Sequence, residues 1–160
     1  MATIQKISGV LANTGPASYT APHSQVESGA IYDYLRIEGN DGRERYLEKV
    51  IVPSYLDVTL APGLEGDFYI ALITTPKLLG SRQLCCLFAT STGGQLRQAI
   101  RQSARCATDG NGIEAFKLLV LGTLLLPAFG YGMLFWLLAL RLMLVKVPIV
   151  EMHQALGETP

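Results

Sequence analysis

From Leu118 to Leu140 the chain reads LLVLGTLLLPAFGYGMLFWLLAL, 23 residues without a charge, bounded by Lys117 and Arg141. At about 1.5 Å per residue, such a run matches the ~30 Å hydrocarbon core of a bilayer. It restricts the chain more than any other feature, because the surface helix of an ordinary domain keeps a polar face and this run has none. One C-terminal transmembrane helix is therefore expected. Pro127, Gly130 and Gly132 interrupt the run near its middle, so a kinked single span is favoured, with a membrane hairpin as the alternative. A hairpin would place a turn in lipid, where its backbone groups need partners from protein or water. Ala128 and Gly132 form a small-xxx-small pair that would let a second helix approach closely, which makes a homo-oligomer or a mixed membrane complex an expected arrangement.

Basic residues near the run suggest its orientation. Arg97, Arg101, Arg105 and Lys117 precede it, whereas Arg141 and Lys146 follow. By the positive-inside rule the N-terminal part should face the cytoplasm, with the tail beyond Lys146 across the membrane. The opening residues, MATIQKISGVLANTGPAS, hold no apolar run of signal-peptide length, so targeting is expected from the C-terminal segment.

The chain then divides into a soluble β domain over 1–92, a basic connector helix and hinge over 93–115, the membrane segment over 116–145 and a short tail over 146–160. Within the first unit, Val, Ile, Tyr and Phe are broken by turn residues every eight to twelve positions, the pattern of a small all-β domain. Strands are expected over 3–11, 30–38, 43–52, 56–60, 67–74 and 83–90. Asn40-Asp41-Gly42 suits a tight hairpin and Pro62-Gly63 a turn with a positive-φ glycine. The stretch from Asn13 to Gly29 has no periodicity and reads as a long loop. Five or six short strands with one long early loop point to a small barrel resembling the OB architecture, or a compact sandwich. This is a resemblance of architecture, and it implies no activity.

Residues 95–107 change to a helical period. Arg97, Arg101 and Arg105 recur every four positions beside a stripe of Leu96, Ile100 and Ala104. With Lys117, these arginines are the candidate membrane-surface residues, since each basic side chain near an anionic leaflet adds about 1 kcal/mol of attraction.

Groups able to support chemistry are sparse. The two histidines, His23 and His153, fall on opposite sides of the expected span. Cys85 and Cys86 are adjacent, so in a strand they point to opposite faces; with Cys106 they make an odd total of three. They read as core thiols in a reducing compartment, without the spacing of a zinc site. No phosphate-binding loop is present, and Gly93-Gly94 before the connector is the one place where an anion could meet a helix start. The acidic residues Asp33, Glu38, Asp41, Glu44 and Glu48 alternate with Arg36, Arg43, Arg45 and Lys49, which suggests a solvated charged face. No catalytic residue, metal or cofactor is expected.

Tyr32, Tyr34 and Tyr46 are the candidate partner-binding residues, with Tyr32 and Tyr34 expected on one strand face and Tyr46 on the facing strand; burial in the sheet core is the simpler alternative. Over residues 1–92 there are seven Lys/Arg against nine Asp/Glu, a balance that makes nucleic acid an unlikely ligand. The expected function is a non-enzymatic interaction module anchored at a membrane, binding lipid and a protein partner. A membrane-tethered nucleic-acid binder and an oligomeric pore component are its rivals.

Overall fold

A computed structural model describes residues 2–19, 29–76, 81–108, 111–125, 132–145 and 147–157. Its strands are β1 (Ala2–Thr14), β2 (Ala17–Tyr19), β3 (Gly29–Gly39), β4 (Glu44–Pro53), β5 (Glu65–Pro76), β6 (Ser81–Thr92) and β7 (Gln95–Gln98). Its helices are α1 (Ser54–Asp57), α2 (Ile100–Thr108), α3 (Asn111–Leu125), α4 (Gly132–Met143) and α5 (Ile149–Ala155).

Five strands close into a barrel in the order β1-β5-β6-β4-β3, with β1 pairing back to β3. Every pair in the ring is antiparallel except β4–β6, which is parallel. A long first strand shared between two neighbours, with one parallel pair opposite, closes the small barrel anticipated from the strand count. Closure happens at Gly9, which faces Gly66 of β5 and Gly39 of β3 at once. A Cβ there would lie 2.0 Å from the carbonyl oxygen of Glu38. Only glycine lets the three backbones meet.

The turns follow local chemistry. Gly42 (φ 73°) closes the β3–β4 hairpin and Gly63 (φ 89°) the turn before β5. Asp41 supports the first by accepting a hydrogen bond from the Arg43 amide at 3.2 Å. The expected strand over 56–60 does not form. After Pro53 the chain makes the single turn α1, and its Leu56 side chain, wholly buried, plugs one end of the barrel among Leu11, Leu35, Val52 and Phe68. Burial of one leucine at the barrel mouth outweighs the weak strand preference of so short a segment.

The connector also differs from expectation. Gly93 (φ 56°) and Gly94 (φ 80°) form a tight turn that returns residues 95–98 as β7 against β6, which explains the double glycine without an anion. Arg97 is therefore a strand residue, and α2 begins at Ile100. From there the anticipated stripe holds: Ile100 and Ala104 are buried, and the Ser103 hydroxyl donates to the Leu87 carbonyl at 2.9 Å, which pins α2 to β6.

Two cores result. The barrel interior holds Ile7, Leu11, Leu35, Ile37, Val50, Phe68, Ile70, Cys85 and Leu87. A second core lies on the outer wall, where Ile51, Ala71, Ile73, Cys86 and Phe88 pack against Ile100 and against Met152 of α5, with Val145, Val147 and Leu156 alongside. The neighbouring thiols thus occupy different cores, as alternation along a strand requires. Burial pushes the Cys85 thiol up to about 12, which keeps it protonated and unreactive.

The apolar run does not form the single span that its length suggests. No helix among the described residues is long and apolar enough to cross a membrane. Instead α3 and α4 lie side by side and antiparallel. Gly122 of α3 is so close to α4 that a Cβ would stand 2.5 Å from the Trp136 ring and 2.9 Å from the Gly132 carbonyl oxygen, while Ala115 near the start of α3 packs with Ala139 and Leu142 near the end of α4. The segment expected to cross to the far side instead returns to the barrel wall as α5.

Candidate membrane-docking and partner surfaces

The helical pair carries the most unusual surface of the molecule. On α3, Phe116, Val120, Leu121 and Leu124 are exposed; on α4, Met133, Leu134, Trp136, Leu137 and Leu140 are exposed, with Leu124 at 70% and Met133 at 69%. A typical monomer exposes apolar patches of only a few hundred Å². Here the exposed side chains leave each helix in several directions, so neither α3 nor α4 has a polar outer face. Thr123, the hydroxyl residue of α3, donates to the Leu119 carbonyl at 2.9 Å, which satisfies its one polar group without solvent.

Both ends of the pair are rooted on the barrel. Upstream, α2 is bolted to β6 through Ser103; downstream, Val145, Val147 and Met152 dock on the outer wall. Lys117 near the start of α3 and Arg141 near the end of α4 are exposed at this rooted end, as are Arg101 and Arg105 on α2. Arg97 is half-buried on β7. Gly132 is buried against α3 of the same chain, and Ala128 lies outside the described residues.

The tyrosines are separated by an irregularity in the sheet. Across β3 and β4 the pair Asp33 and Lys49 is missing from the ladder, and Lys49 has φ 51°. Inward positions switch parity there, from Ala30 and Tyr32 to Leu35 and Ile37. Tyr32 consequently points into the barrel, where its hydroxyl donates to the Asp57 carboxylate at 2.6 Å. Tyr34 points outward and stacks on Tyr46, centroids 5.1 Å apart at 20°. Sequence alternation alone puts Tyr32 and Tyr34 on one face; the break in the ladder at Asp33 and Lys49 falls between them. The outward surface is thus a pair, with Tyr46 58% exposed and Tyr34 half-buried against Gly15, where a Cβ would come within 2.7 Å of the Tyr34 ring.

Around this pair, charges neutralise one another. Arg36 pairs with Glu44, and also lies 3.9 Å from Glu38; Arg45 reaches Asp41 at 3.3 Å. The Glu44 carboxylate holds the Arg36 guanidinium above its usual pKa, and the Arg43 amide leads in holding Asp41 below the usual carboxylate range. On the opposite wall Lys6 bridges to Asp67 at 2.9 Å and lies over the Tyr69 ring. Among the described residues no group of His, Cys, Asp and Glu could hold a metal ion. His23 lies outside the described residues, and His153 sits on α5 beside Tyr55 and the first turn of α2, its Nδ1 2.8 Å from the Ile149 carbonyl oxygen.

Sequence reasoning missed the outer-wall core, although signals for it exist. The run Leu84 to Ala89 is apolar on both strand faces, as strands buried on both sides are, and Met152 and Leu156 are spaced four apart. Comparison with protein-family models, with curated proteins and with solved structures finds no match to this chain, so its function is read from these surfaces alone.

Proposed function

We propose that the protein is a non-enzymatic interaction module docked on a membrane: α3 and α4 enter lipid as a hairpin, and the barrel presents a partner surface in the cytoplasm. The observation that carries this is the apolar helical pair without a polar outer face. A protein partner covers one side of a two-helix layer and leaves the other wet, whereas lipid covers both. With both ends of the hairpin rooted on one barrel, counting basic residues before and after the run no longer selects an orientation. The exposed Arg101, Arg105, Lys117 and Arg141 still favour the anionic cytoplasmic leaflet.

For the partner surface, the Tyr34–Tyr46 pair supplies a rigid aromatic contact within a rim of paired charges, a composition common to protein-recognition patches. A nucleic-acid ligand is the second reading, because stacked aromatics on this face of a barrel of OB type suit a base. The charges around the pair are matched rather than basic, which gives a phosphate backbone little to hold.

The test is flotation of the full chain with neutral liposomes, followed by recovery from cell membranes in mild detergent. Co-flotation and a co-purifying protein lost on Tyr46→Ala are the expected results. A chain that stays in the aqueous fraction as a defined dimer refutes membrane docking, and a salt-sensitive shift with single-stranded oligonucleotide replaces the protein partner.

A further inference from the structure

The antiparallel register of α3 and α4 aligns charges that are far apart in sequence. Setting Gly122 beside Gly132–Trp136 also sets Lys117 within about one helical turn, ~5 Å along the axis, of Arg141. Both are exposed, and no charge lies between them along the chain. They mark a single level at the base of the hairpin. Beyond it α3 continues to Leu125 and α4 begins at Gly132, a reach of roughly 12–14 Å at 1.5 Å per residue. One leaflet's hydrocarbon is about 15 Å, half of the ~30 Å core.

We propose that the hairpin enters one leaflet only, and that Lys117 and Arg141 form a basic collar that holds the phosphates of anionic phospholipid headgroups at its base. The inference rests on the membrane docking proposed above and specifies the depth and the lipid class. Three features support it. The reach of the described parts of α3 and α4 matches a half-bilayer. The collar breaks the exposed apolar surface of the pair, with Phe116, Met143 and Leu144 on its barrel side. Finally, α5 is packed on the barrel wall through Met152, so the chain beyond the hairpin is on the side from which it entered. An ammonium and a guanidinium at one level suit phosphate oxygens, the guanidinium by a two-pronged contact and the ammonium as a point charge.

The experiment uses the full chain and two vesicle compositions, pure phosphatidylcholine and phosphatidylcholine with phosphatidylglycerol. Each basic residue near an anionic surface contributes about a fivefold gain in partitioning, so Lys117→Gln with Arg141→Gln should weaken binding to the anionic vesicles by about thirty-fold. Binding to the neutral vesicles should stay unchanged, as should the far-UV spectrum, since both side chains are exposed. Equal loss on both vesicles, or none on the anionic ones, overturns the collar while leaving docking intact. Failure of the unaltered chain to bind either vesicle sinks the docking itself.

Return of the chain to the side of entry is read by labelling. In a Cys106→Ser background, Glu151→Cys on α5 and Glu44→Cys on β4 are labelled with a membrane-impermeant maleimide added outside the vesicles. Equal labelling is expected from a hairpin that returns, because both positions remain on the outer side. Protection of residue 151 alone refutes it and restores a crossing segment.

Discussion

Replacing Leu124 and Met133 together with arginine separates membrane docking from folding. The two positions lie at the far end of the hairpin from Lys117 and Arg141, and they are 70% and 69% exposed in the chain by itself. In water the change should be nearly silent. Surface substitutions away from special features stay within about 0.5 kcal/mol each, and arginine is about as good a helix former as leucine or methionine. In lipid the same positions lie near the deep ends of α3 and α4, where each arginine costs about 2.5–3.5 kcal/mol on insertion scales. The pair therefore costs about 5–7 kcal/mol, or roughly four to five orders of magnitude in partitioning at 1.4 kcal/mol per decade. Liposome flotation measures the partitioning, and a urea melt of the soluble fraction measures the fold. Loss of flotation with an unchanged melt is the expected outcome. A variant that still floats shows that the hairpin tip is outside the hydrocarbon; one whose barrel unfolds shows that these side chains are held by protein rather than free to meet lipid.

Gly9→Ala should destabilise the barrel by about 1–3 kcal/mol, as overpacking does, because its Cβ would enter the Glu38 carbonyl at 2.0 Å; a lowered urea midpoint checks this. Met152→Ala empties a wholly buried position in the outer-wall core and should cost about 2–5 kcal/mol of α5 docking, seen as faster proteolysis after Val147 while β-sheet circular dichroism persists. Asp67 is held below the usual carboxylate pKa, chiefly by the Ser8 hydroxyl at 2.5 Å and then by Lys6. Its contribution is present above the unfolded value near 4 and is lost as pH falls through the lower folded value. Asp67→Asn should therefore flatten the acid limb of a stability–pH curve below about pH 4, and an unaltered limb would show that the pair is inert.

Several elements of this protein are legible in its sequence because they depend on local chemistry. Apolar runs broken by turn residues, with the positive-φ glycines at Gly42 and Gly63, specify β1 and β3 to β6, and the strand count points to the closed barrel; the stretch from Asn13 to Gly29, expected as a loop, instead holds the end of β1 and β2, which pairs with β3. Adjacent Cys85 and Cys86 must face opposite sides of a strand, and they do. Other features were decided by contacts between distant segments. The ladder breaks at Asp33 and Lys49, and Tyr32 faces inward while Tyr34 faces outward, whatever the alternation of their neighbours. Residues 95–98 have a helical period, yet the unpaired edge of β6 recruits them as a strand. The uncharged run from Leu118 to Leu140 is apolar in either arrangement, and a run with no polar face carries no phase from which to read a reversal. What decides it lies outside the run. The outward positions Ile51 of β4, Ala71 and Ile73 of β5, and Cys86 and Phe88 of β6 are apolar and need a cover, and Val145, Val147, Met152 and Leu156 supply one only if the chain comes back to the barrel it left.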